Sequence, residues 1–411
     1  MRFPSTFLIL SALISANLGA EPWNLDELSN APGFRWDDDQ SQIRSLFYEG
    51  LPYQGKETEV FAFYGSPKTL GEDQDGPFPA VVLVHGGGGT AFAEWVNLWA
   101  KRGYAAIAMD LGGSRPPAPE FDPETGAFAS HDGRSGRVRL ENGGPHQSHA
   151  EKFQTAGGTI EDDWPYHAIS NVIRAHSLIR GFKEVDPDRT AVTGISWGGY
   201  TTCIVASVDH RFKAAVPVYG CGFLYQGESV QRHSIDALGP AKRGTWIRLY
   251  DPSSHLPNCR IPIFFVNGTH DVHYPLDSYA KSYSLVSGPR SQRIEVKMGH
   301  SHPAGWKPKE IGMFIDSHCR NGTPLPEIGT PTLKNGIVSA AVKSSTAIET
   351  AQLHYTTDTG RRSKRTWQSV EADIKNGTIT AGSLPEAATT WLLSVTDERG
   401  AMVSSEAMFG D

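Results

Sequence analysis

Cysteine is scarce in this sequence, and the four present (Cys203, Cys221, Cys259 and Cys319) never form a C-x-x-C pair. That absence excludes zinc ribbons and thioredoxin-type redox centres, and no metal site is expected. Long hydrophobic runs are missing as well. The apolar stretch from Phe7 to Leu18 falls short of the ~20 residues that a membrane-spanning helix needs. With Arg2 before it and Leu18-Gly19-Ala20 after it, the stretch reads as an export signal cleaved before Glu21, which places the protein in the periplasm or outside the cell. Stable membrane insertion is therefore not expected. An oxidising compartment permits disulfides, but four cysteines allow three pairings and nothing here chooses among them; Cys203, inside TTCIVAS, reads as a buried thiol. Blocks of one charge are also lacking. Thirty-eight Lys and Arg against 45 Asp and Glu give a net charge of −7, spread along the chain. Neither a nucleic-acid footprint nor a polybasic membrane anchor is present, so a small-molecule partner is expected. No pattern speaks to oligomeric state.

What is present is an ordinary globular composition, 39% hydrophobic and 20% charged, in 411 residues, too many for one compact domain. Between residues 40 and 320, short apolar runs alternate with helical patterns, as in an α/β domain with a mostly parallel sheet, whose bounds are set at 21–322. Ala80–Val84 is apolar throughout, which suits a strand buried on both faces. Further strands are expected at Tyr104–Met109, Thr190–Thr193, Ala214–Tyr219, Ile261–Val266 and Arg293–Lys297. Helices are expected at Ala91–Arg102, 163–180 (capped by Asp162 or Asp163, with Pro165 in its first turn), Ser196–Val208 and Lys309–Cys319. Two irregular inserts, near 112–160 and 220–258, are candidates for the walls of a substrate cleft. Three prolines mark residues 323–331 as a linker, and 332–411 carry short alternating runs that read as an immunoglobulin-like β-sandwich. In the run Trp391–Val395, Trp391, Leu393 and Val395 share one face.

The chemistry concentrates in four segments. Gly194-Ile195-Ser196-Trp197-Gly198 lies between a strand and a helix, where G-x-S-x-G marks a nucleophile elbow and the flanking glycines relieve a sharp reversal. A serine hydroxyl needs a base, and the base needs an orienting acid. Asp271, after the run IPIFFVNG, is the candidate acid, with Asp277 as its rival on the next helix. His300 and His302 follow the last strand; His300 is assigned as base and His302 to the pocket. His270 and His273 come too early in the chain and are placed around the acid. His85-Gly86-Gly87-Gly88-Gly89 exposes amides for an oxyanion hole, with Trp197 N–H as one donor and Gly87 or Gly88 as the other. No G-K-[ST] follows, so the run is not a phosphate loop, and no cofactor is expected. Trp197, Tyr219 and Tyr274 are candidate aromatic walls for a sugar face.

Taken as a set, VLVHGGGGTAF, VTGISWGGY, VNGTHDVHYPLDSY and MGHSHPAGW resemble the catalytic domain of the prolyl oligopeptidase and acetylxylan esterase group of α/β-hydrolases, over roughly residues 40–320. The chain is similar in particular to exported bacterial proteins of the acetylxylan esterase or dienelactone hydrolase type with a C-terminal β-domain. The resemblance implies an α/β-hydrolase fold and a Ser196–Asp271–His300 triad. Fewer than 80 residues precede the first long strand, so the propeller of prolyl oligopeptidases has no room. The expected activity is hydrolysis of a small-molecule or carbohydrate ester, with acetyl esters first. The alternatives are an exported serine peptidase, for which Glu161, Asp162 and Asp163 are candidate terminus-binding acids, and a catalytically dead binding module.

Overall fold

The computed structural model describes residues 21–122, 124–129 and 134–410; the export segment read at 1–20 lies outside the described residues. After a single helical turn at Leu25–Leu28 come three strands, β1 (Phe34–Asp38), β2 (Arg44–Glu49) and β3 (Glu59–Gly65). The run FPAVVLV then forms β4 (Phe78–Val84), with every residue buried as an all-apolar strand requires. Helix α1 (Ala93–Lys101) buries Trp95, Val96, Trp99 and Ala100 and leaves Leu98 in solvent, and β5 (Ala105–Met109) follows. The next units are α2 (Trp164–Arg180), β6 (Val185–Ile195), α3 (Trp197–Val208) and β7 (Ala214–Val218). After α4 (Pro240–Tyr250), the last units are β8 (Ile263–Gly268), α5 (Leu276–Leu285), β9 (Arg290–Glu295) and α6 (Lys309–Cys319).

Two local expectations fail for physical reasons. Asp163 stands at the N-cap of α2, but its side chain makes no capping bond; the carboxylate accepts the Tyr250 hydroxyl instead. Strand β9 starts at Arg290, three residues before the expected start, because polar RSQR pairs with β8 despite lacking an apolar run.

Hydrogen-bonded neighbours run β1–β2–β3–β5–β4–β6–β7–β8–β9. The pairs from β5 to β9 are parallel, while those joining β1, β2, β3 and β5 are antiparallel. Registers such as Val82↔Val192 and Val192↔Ala215 bring the carboxyl ends of β4, β6, β7, β8 and β9 to one edge. Crossings between parallel strands place helices on both faces, and ligands bind where such strands end. All four cysteines are buried and unpaired.

Beyond residue 330 the strands are antiparallel: β10 (Ile337–Lys343), β11 (Ile348–Thr356), β12 (Gln368–Lys375), β13 (Thr378–Ser383), β14 (Thr390–Asp397) and β15 (Met402–Ser404). Strand β12 pairs with β11 through 368–371 and with β13 through 372–375, so it joins two groups of strands. In its sequence, QSVEADIK, apolar Val370, Ala372 and Ile374 alternate with charged residues, but the strand is mostly exposed and takes its place from pairing with β11 and β13. In β14 the stretch 390–395 is buried on both faces rather than one. The expected linker is partly structured, with Glu327–Ile328 pairing with Val342–Lys343. The chain then returns to the first sheet, where β15 pairs with β9 at Gln292↔Ser404 and Ser404 Oγ accepts the Ile294 N–H at 2.9 Å.

Candidate active site

Ser196 sits between β6 and α3 with φ 60° and ψ −116°, a conformation costly for a side-chain-bearing residue and typical of strain held at a functional turn. The turn is pinned by the Ser196 N–H, which donates to Val218 O at 2.9 Å. A Cβ at Gly194 would stand 2.3 Å from Gly198 O, and one at Gly198 would stand 2.0 Å from Val84 O. The glycine at 198 is therefore required by the neighbouring strand β4, not by Gly194 alone.

From the end of β9, His300 reaches across the edge. Its Nε2 lies 2.9 Å from Ser196 Oγ and its Nδ1 lies 2.9 Å from Asp271 Oδ2. With the proton on Nδ1 directed at Asp271, Nε2 accepts the serine hydroxyl. The Asp271 side chain is fully buried, and its other oxygen accepts the N–H groups of His273 (2.7 Å) and Tyr274 (3.0 Å). Three donors around one carboxylate fix its orientation. The rival Asp277 lies in the first turn of α5 and faces Arg362 at 3.7 Å, away from the serine.

The aromatic expectations need correction. Tyr219 and Tyr274 are wholly buried and do not line the cavity. Tyr219 packs 4.4 Å from the His300 ring and donates its hydroxyl to Gly299 O at 3.0 Å. Tyr274 lies nearly parallel to that ring at 6.0 Å, and its buried hydroxyl is left without a hydrogen-bond partner beside Ser196. Both tyrosines hold the imidazole rather than contact a substrate.

The open space above Ser196 is a cavity of about 340 Å³ lined by Gly87, Lys152, Ile195, Ser196, Trp197, His273, His300, Ser301 and His302. A larger groove of about 940 Å³ near Phe182 and Glu184 holds no serine–histidine pair, so the smaller cavity is the site. His302 lines the cavity as expected and does more: its Nε2 accepts the Gly86 N–H at 3.1 Å, tying down the glycine loop. His85 braces the same loop from beneath, its Nδ1 on Gly86 O at 2.8 Å and its Nε2 accepting Leu111 N–H at 2.9 Å. The Gly88 N–H donates to Gln147 Oε1 at 3.1 Å, which removes Gly88 as an oxyanion donor. Gly87 and Trp197 remain at the cavity wall, and their amides are not taken by the loop's other bonds. Burial and the facing His300 hold the His273 imidazole below its usual range and so favour its neutral form.

The insert near 112–160 supplies Lys152 to this cavity and Gln147 to the glycine loop. The insert near 220–258 contributes no lining residue; Trp246 instead supports the first insert, its Nε1 donating to Lys152 O at 2.8 Å. Lys152 was not read from the sequence, because a lone lysine in an aperiodic insert carries no signal. Glu161, Asp162 and Asp163 lie outside the cavity lining. Among the described residues, no group of three or more His, Cys, Asp or Glu is arranged to hold a metal, and no helix is long and apolar enough to cross a membrane.

The acetyl xylan esterase family (AXE1) matches residues 25–232, half of the chain, spanning the glycine loop and the elbow. The chain belongs to the acetyl xylan esterase family. A second family, described as PhoPQ-activated pathogenicity-related protein, matches residues 218–365 of this acetyl xylan esterase family member. Among solved structures it is similar to an acetyl xylan esterase from Paenibacillus sp. R4 (21% identity, TM-score 0.53), covering 72% of this chain and 92% of that one. Acetyl Xylan Esterase 1 from Thermoanaerobacterium sp. JW/SL YS485 is also similar (15% identity, TM-score 0.50), with 72% and 94% covered. These likenesses establish the α/β-hydrolase fold. An uncharacterised peptidase, YuxL of Bacillus subtilis (strain 168), is 22% identical over 268 residues, 59% of this chain; the chain spans only 35% of that relative's length. This acetyl xylan esterase family member is an enzyme of the serine hydrolase type.

Proposed function

We propose that this enzyme hydrolyses carboxylic esters, acetyl groups on carbohydrate first among them, through an acyl-enzyme on Ser196. The observation that carries this reading is the chain Asp271–His300–Ser196 at 2.9 Å per step, beside the Gly87 and Trp197 amides. Ser196 Oγ attacks the ester carbonyl as its proton passes to His300 Nε2. The carbonyl oxygen gains charge facing the two amides, a contribution typically worth about 3–4 kcal/mol per donor. His300 returns the proton to the departing alcohol, then takes one from water, whose oxygen attacks the acyl carbon, and passes it to Ser196 Oγ as the bond to the acyl group breaks and the acid leaves. Buried Asp271 compensates the imidazolium at each stage.

The peptidase reading draws on YuxL, but no carboxylate among the described cavity-lining residues is placed to hold a free amino terminus. Acetate release from acetylated xylan, or cleavage of p-nitrophenyl acetate, abolished in Ser196→Ala, is the expected result. Cleavage of proline-containing aminoacyl amides with no turnover of short acyl esters would overturn the proposal. The pattern of residues 1–20 supports an exported enzyme, and the two groups of antiparallel strands joined by β12 support an immunoglobulin-like reading of the C-terminal segment.

A further inference from the structure

Lys152 has no role in the acyl-transfer steps, yet it stands in the wall of the cavity that holds Ser196. It lies in a π-helical turn, Ala150–Gln154, a geometry that recurs at functional sites. The residue is only 8% exposed. Its ammonium stands 4.7 Å over the Trp197 ring and 5.2 Å over the Trp164 ring and makes no ion pair or hydrogen bond among the described residues. Lysine is almost never buried without a partner, because losing water costs the charged form free energy. Two indole faces offset part of that cost, and no carboxylate offsets the rest. Burial alone lowers the Lys152 pKa to about 8, which leaves the ammonium mostly charged at neutral pH.

The surroundings repeat this charge. None of the nine cavity-lining residues is acidic. A second cavity of about 440 Å³, touching Gly88 and Gln147, is lined by Arg137 and Arg139. Arg137 bonds to the Gly89 carbonyl, and Arg139 to those of Gly112, Gly113, Gly143 and Gly144. Neither arginine forms an ion pair among the described residues. A chain of net charge −7 thus places Lys152 on one side of its glycine loop and Arg137 and Arg139 on the other, none of the three in an ion pair among the described residues.

Building on the ester reading, we propose that Lys152 recognises an anion: the substrate carries a carboxylate that Lys152 Nζ receives while the scissile carbonyl faces Gly87 and Trp197. Such a carboxylate belongs either to the alcohol half, as in a uronic acid acylated on a hydroxyl, or to the acyl half, as in a dicarboxylic half-ester. Both present the same chemistry to the ammonium.

The test measures how ligands slow labelling of Ser196 by a neutral fluorophosphonate, a readout that needs no substrate turnover. Glucuronate against glucuronamide probes the alcohol half, and succinate against succinamide the acyl half. In the wild type, the anion of one pair is expected to protect about tenfold better than its amide, as for one charge-assisted contact. Lys152→Met should bring that ratio to about one, and Lys152→Arg should keep it above one. Equal protection by anion and amide in the wild type, or a preference that survives in Lys152→Met, overturns the proposal. Ester turnover without any carboxylate preference removes this inference alone. Carboxylate protection in an enzyme that cleaves only amides removes the ester reading and leaves the anion site standing.

Discussion

The two histidines that end the MGHSH segment occupy different places in the site. His300 bridges Ser196 and Asp271, whereas His302 accepts the Gly86 N–H. Replacing the base disables the triad as a unit, so His300→Ala should lower kcat on p-nitrophenyl acetate by about 10⁶-fold. His302→Ala removes one hydrogen bond from the loop that carries Gly87, and a loss of roughly tenfold is expected. A reversed ranking in steady-state kinetics would move the base to residue 302. At this scale Ser196, Asp271 and His300 were legible because the chemistry demands those residue types and this fold carries them in that order, here after β6, β8 and β9. The choice between Gly87 and Gly88 was not legible, since it rests on Gln147, a side chain 59 residues away. Tyr219 and Tyr274 misled because residue type does not tell which side of an imidazole an aromatic ring occupies.

Among the elements, the elbow between β6 and α3 is the least tolerant of change. A methyl at Gly198 would meet the backbone oxygen of Val84 at 2.0 Å, and a main-chain atom of a central strand cannot yield. Gly88 has φ +69° and open space around its missing Cβ. Gly88→Ala should therefore cost only the left-handed backbone penalty of about 1–2 kcal/mol. Gly198→Ala should cost clearly more and abolish Ser196 labelling; urea unfolding of the two variants compares them, and equal stabilities would mean that β4 and the elbow separate easily. Strands and helices with strong apolar periods, such as β4 and α1, were readable from sequence alone. Elements set by their partners were not: β12 is mostly exposed, and β1 to β3 gain their place by pairing onto β5.

Across the whole molecule, stability should fall in mild acid. His354, held between Ser369 and Ser394 hydroxyls in the C-terminal strands, is pushed down to about 4 by burial. Buried His176, between Asp209 and Thr190, is lowered in the same direction. Both rings stay neutral in the folded chain, while in the unfolded chain they protonate below about 6.5. Between pH 6.5 and 4 the unfolded chain therefore binds protons that the folded chain refuses, and stability falls, by about 3 kcal/mol for His354. His354→Gln should flatten part of this slope in urea titrations, and an unchanged slope would show that His354 does not carry it. The division of the chain near residue 323 looked simple in the sequence, because three prolines and a change of period mark it. What the sequence hid is the return of Met402–Ser404 to the edge of β9, a pairing between positions about 110 residues apart that no local pattern announces. The last β-strands are consequently poor cargo for shuffling. Grafted onto another hydrolase they would need a host whose final strand offers a matching edge, and severed from this one they would leave bare the strand from which the loop carrying His300 departs.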